Sequence, residues 1–194
     1  MKVLGSLCIL ALAMAIATTP ASAQVLNSNA GTVTLNATLP ESITLTVQTG
    51  ASVNFTLAAN TASNAGSTTT TVKTAWVLKT SRTAVGVWAF VNSGAAALSD
   101  GTNNIPASAV SAAATGSVSA GGALNTSTSG GAGVPAFIGA GGTGVQIGNI
   151  ALTAANRASS TTTTITWNID TTVTPQLPAS AYTGTVNIQA QATP

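Results

Sequence analysis

Three carboxylates, Glu41, Asp100 and Asp170, one thiol, Cys8, and no imidazole make up the catalytic inventory of this sequence. Without histidine there is no Ser-His-Asp relay, no Cys-His pair and no imidazole-bound zinc. Two acids such as Asp100 and Asp170 could flank a glycosidic bond if the fold brought them together. Carboxylates scattered over separate polar segments read first as solvated turn residues, and the chain is expected not to be an enzyme. Gly139, Gly141 and Gly144 have the G-x-G-x-x-G spacing. Dinucleotide binding would need a strand before them, a helix after them and an acid about 20 residues on. Residues 145–150 look extended instead, so the stretch reads as a glycine-rich turn. It also lacks the aspartates of a calcium-binding nonapeptide repeat. No cofactor and no metal is expected.

Aromatic side chains are the other chemistry to weigh, because exported β-modules often grip sugars with them. Trp76 and Trp167 share alternation faces with Leu78 and Ile165, which assigns them to the core. Trp88 and Phe90 fall opposite Val85 and Val87 and are the candidate contact surface for a glycan or surface ligand. Threonine recurs as Thr-x-Thr at 32/34, 44/46 and 183/185, yet no fixed repeat supports an ice-binding ladder. Asn36, Asn54 and Asn125 begin N-x-S/T sequons, acceptors only where the host glycosylates them.

The elements that must position these residues announce themselves by period-two alternation. Val33, Leu35, Ala37 and Leu39 alternate with Thr32, Thr34, Asn36 and Thr38, and after Pro40 the pattern resumes with Ile43, Leu45 and Val47. Further strands are expected at Val53, Phe55 and Leu57, and over 72–79, 84–91, 145–153 and 163–169. Another is expected over 182–192, where Tyr182, Gly184, Val186 and Ile188 share a face. Segment 84–91 is apolar on both faces, which suits a central strand or a partner-covered one. Between 94 and 144 the sequence turns to Ala, Gly and Ser and reads as an insertion; 105–114 could be a strand pair or a short helix opened by Pro106. With about eight or nine strands and no βαβ alternation, the expected fold is all-β, an antiparallel Ig-like or jelly-roll sandwich.

At the N-terminus, Lys2, an apolar run to Ala17 and Ala21-Ser22-Ala23 have the order of a secretory signal peptide, so residues 1–23 are expected to be cleaved. The remainder, 24–194, is expected to be a single secreted or cell-surface domain with no stable membrane span. Cleavage would remove Cys8 and leave no thiol for a disulfide. Lys73, Lys79, Arg82 and Arg157 then face Glu41, Asp100 and Asp170. The pI near 9.1 reflects few groups rather than a basic cluster, so nucleic acid is not an expected partner. So little charge does little to keep copies apart, and a homo-oligomer or filament is expected.

Residues 33–47 and 181–192 resemble secreted bacterial pilin-like sandwiches of the spore-coat-U and fimbrial type. The resemblance implies that terminal strands complete the sandwich and that a strand can be donated to a neighbouring subunit. The expected function is a self-associating structural subunit using strand-edge pairing at 32–39, through Thr32, Val33, Leu35 and Ala37, or at 183–191. The alternative is a monomeric, adhesin-like module that binds a glycan or surface ligand through Trp88.

Overall fold

The structure, a computed structural model, describes residues 28–116, 121–128 and 142–194. The signal-peptide reading, Cys8, Gly139 and Gly141 lie outside the described residues. Residues 28–37 and the body from Thr38 to Pro194 are separate units.

β-branched and aromatic residues at alternate positions build the strands of the body. They are β1 (Ser42–Thr49), β2 (Asn64–Ala65), β3 (Thr70–Val77), β4 (Ala84–Val91), β5 (Leu98–Ser99), β6 (Asn104–Ile105), β7 (Val110–Thr115), β8 (Gly121–Ala123), β9 (Ser127–Thr128), β10 (Thr143–Ala151), β11 (Ala158–Ile169) and β12 (Asn187–Thr193). The larger sheet has the order β1-β3-β11-β7-β8, with β2 extending the β3 side of β11; the second has the order β12-β4-β10-β9, and β5 and β6 form a separate antiparallel pair. Pairing is antiparallel in both. The fold is thus an all-β antiparallel sandwich.

The two sheets meet through their apolar faces. Val72, Ile165, Trp167 and Ile169 from the first sheet pack with Val87, Ala89, Val145 and Ile147 from the second, all buried. A bulge between Gln146 and Gly148 leaves Ile147 as the extra residue, and it is fully buried. That shift changes the phase of β10. A smaller cluster of Trp76, Leu78 and Val85 closes one end of the sandwich.

Segment 84–91 is a strand over its expected length and lies between β10 and β12. Other expectations are corrected. Residues 28–41 form no strand, although Val33 and Leu35 are 83% and 89% exposed; alternation specifies a face that needs cover, not a partner in the same chain. Val53, Phe55 and Leu57 make one isolated bridge, Phe55 with Gly66. The last strand begins at Asn187, so Tyr182, Gly184 and Val186 precede it and Ile188 alone of that set lies in β12. Thr183 bridges Ser99 instead, and a Cβ on Gly184 would lie 2.0 Å from the Ala97 carbonyl oxygen. This close crossing diverts the chain from the sheet. Segment 105–114 combines a 3-10 turn at Ala107–Ala109 with β7, and β7 sits within the first sheet, so the 94–144 stretch is not merely an insertion. No helix among the described residues is long and apolar enough to cross a membrane.

Candidate functional site

β1 and β12 are edge strands of different sheets and lie beside one another. Near the end of β1 and the start of β12 the sandwich opens into a groove. One cavity, about 320 Å³, is lined by Val47, Phe55, Leu98, Trp167, Val186 and Ile188, among others. A second, about 710 Å³, shares Val53, Phe55, Leu98 and Gly184 with it and continues along Leu57, Leu177 and Tyr182. Leu45, Val53, Phe55, Leu57, Val186 and Ile188 are only half-buried against the core. Apolar side chains left half-covered in a row are what a further strand would complete.

A hydrogen-bond chain fixes the groove floor. The Trp167 indole Nε1 donates to Thr70 Oγ1 at 2.8 Å, and that hydroxyl donates to the Gly50 carbonyl at 2.7 Å. Gly50 must be glycine: its φ is +65°, and a Cβ there would lie 2.1 Å from the Thr69 carbonyl oxygen. Thr70→Val keeps the shape but removes the acceptor and leaves the buried indole N–H unpaired. Urea denaturation of this variant should show a loss of about 1–3 kcal/mol.

Apart from Lys73, which lies in the middle of β3, the charges of the described residues occupy the ends of the sandwich. Where the chain enters β1, the Glu41 carboxylate accepts from the Lys79 backbone N–H at 3.0 Å and from Arg82 Nε at 3.3 Å, with Lys79 Nζ 3.6 Å away. Arg157 Nη1 donates to the carbonyls of Lys79 and Arg82 at 2.6 and 2.8 Å. At the opposite end Asp100 accepts from the backbone N–H groups of Asn103 and Thr102 at 2.6 and 2.9 Å, and Asp170 accepts from the Thr172 N–H at 2.8 Å. Each of these two acids is thus engaged in its own turn. Tyr182 donates its hydroxyl to the Pro178 carbonyl at 2.8 Å; burial and then the nearby Asp100 charge raise its pKa.

These contacts set an acid dependence. The Lys79 N–H and the Arg82 side chain hold the Glu41 pKa below its ordinary value, and the Asn103 and Thr102 N–H groups hold Asp100 well below it. A carboxylate with a depressed folded-state pKa stabilises the fold above the unfolded value and loses that contribution as pH falls through the folded one. Thermal melts should therefore be flat from neutral pH to the ordinary carboxylate range and decline below it. Glu41→Gln should flatten part of that acid decline.

Trp88 and Phe90, expected at a contact surface, are 5% and 3% exposed. They leave the groove to residues whose sequence signal was weak: Leu98 lies in the Ala/Ser-rich stretch, and Val53 and Phe55 lie in a strand that does not form. Among the described residues no group of three His, Cys, Asp or Glu could hold a metal ion. Asn36, Asn54 and Asn125 are all exposed. Comparison with known proteins found no matching family model, no matching curated protein and no matching solved structure.

Proposed function

We propose that this chain is an exported structural subunit that self-associates by strand addition. Segment 32–39 of one copy lies in the groove of the next, along the edge that leads into β12. The observation that carries this reading is the pairing of two incomplete features. Segment 32–39 is alternating and forms no strand, with Val33, Leu35 and Leu39 78–89% exposed. The groove has a half-covered apolar floor and is flanked by the edge strands of both sheets.

An extended segment from Val33 to Leu39 spans roughly 20 Å and presents alternate side chains to one face at about 6.8 Å intervals. Main-chain hydrogen bonds to an edge supply affinity without demanding a particular sequence, and alternate apolar side chains supply register. Burying a Val or Leu side chain fully contributes about 1.5–3 kcal/mol, so three such residues meet only part of the cost of ordering the segment, and the main-chain hydrogen bonds to the edge must add to them. Electron microscopy and light scattering of the purified protein test the reading. Regular filaments or a concentration-dependent size series are expected; a monodisperse monomer at high concentration would reject it.

A further inference from the structure

Antiparallel register places all but one of the charges among the described residues at opposite ends. The turn between β3 and β4 carries Lys79 and Arg82, with Glu41 the carboxylate partner of these two, and the turn between β10 and β11 carries Arg157 at the same end, bonded to the Lys79 and Arg82 carbonyls. Three cations against one acid leave that end basic. Asp100, in the turn between β5 and β6, and Asp170, just beyond β11, lie at the other end. Lys73, the remaining cation among the described residues, is exposed on β3 away from both ends.

We infer that successive copies meet head to tail, the basic end of one copy facing the acidic end of the next. This rests on the assembly reading above. Two features independent of the charges give the same polarity. The chain enters β1 at the basic end, through Glu41. The groove extends toward the acidic end, where Leu98 and Ile169, beside Asp100 and Asp170, help line its larger cavity. A segment leaving the basic end of one copy therefore meets the groove of a copy whose acidic end comes first. Such a contact joins two different surfaces, so it propagates into an open chain unless its rotation closes a ring. With so few other charges to oppose it, end-to-end complementarity also orients the encounter.

The test is light scattering of the full protein against salt, with variants at each end. Raising NaCl from about 0.02 M to about 0.5 M should weaken assembly about tenfold, because exposed pairs are screened. Asp100→Asn with Asp170→Asn retains an acceptor in each turn, and Lys79→Glu removes the excess basic charge. Both proteins should assemble more weakly at low salt and lose most of the salt dependence, whereas Lys73→Gln should retain it. Carbodiimide coupling followed by peptide mapping should join Lys79 of one copy to Asp100 or Asp170 of another. Filaments with wild-type salt dependence in both end variants, and no such coupling, would overturn the polarity while leaving strand addition standing. Failure of the unmodified protein to assemble at any salt concentration would overturn both.

Discussion

Replacing Val33 and Leu35 together by Asn should leave a folded sandwich that no longer assembles. Neither side chain belongs to the buried core, and each is more than four-fifths exposed, so the substitutions remove nothing the body uses to fold. In the assembled protein the same side chains would occupy the neighbour's groove. Losing two buried apolar anchors should weaken association by about 10²- to 10⁴-fold. Sedimentation velocity would show monomer at concentrations where the unmodified protein is fully assembled, and circular dichroism would show unchanged strand content. Assembly unaffected by this pair would reject the segment as the joining strand.

Trp88→Ala should act in the opposite way, on the fold rather than on a contact. β4 is the most buried strand of the sandwich, buried on both faces from Val85 to Val91. A Cβ placed on Gly86 would lie 2.9 Å from Trp88 Nε1, so the indole ring lies over that glycine on the face away from Val87. Truncating a buried tryptophan costs about 3–5 kcal/mol, enough to unfold a marginal domain. Chemical denaturation should show this loss. A glycan-binding module would behave differently: the variant would remain as stable as the parent and lose only ligand retention.

Segment 84–91 was legible because both of its faces are apolar, which marks a central strand. The same signal was ambiguous about Trp88, since a second apolar face can meet solvent, a partner or the protein itself, and here it is buried. Segment 33–39 was legible as a potential strand, but period two carries no information about which chain supplies its neighbour. Segment 182–186 failed for a non-local reason: Gly184 is pressed against the Ala97 backbone and Thr183 pairs with Ser99, contacts that tertiary structure creates over long sequence separation. The groove was hidden because Val47, Leu98 and Val186 come together only after both sheets form. The charge polarity was hidden likewise. Lys79 and Arg157 look scattered until antiparallel pairing brings their turns to one end.

Hydrogen exchange on the assembled protein tests the central claim most directly. The account predicts that the amides of 32–39 become strongly protected on assembly, together with those of 184–186, which precede β12, and that both segments exchange fast in the monomeric Val33→Asn, Leu35→Asn protein. Fast exchange throughout 32–39 in assembled protein would contradict strand addition.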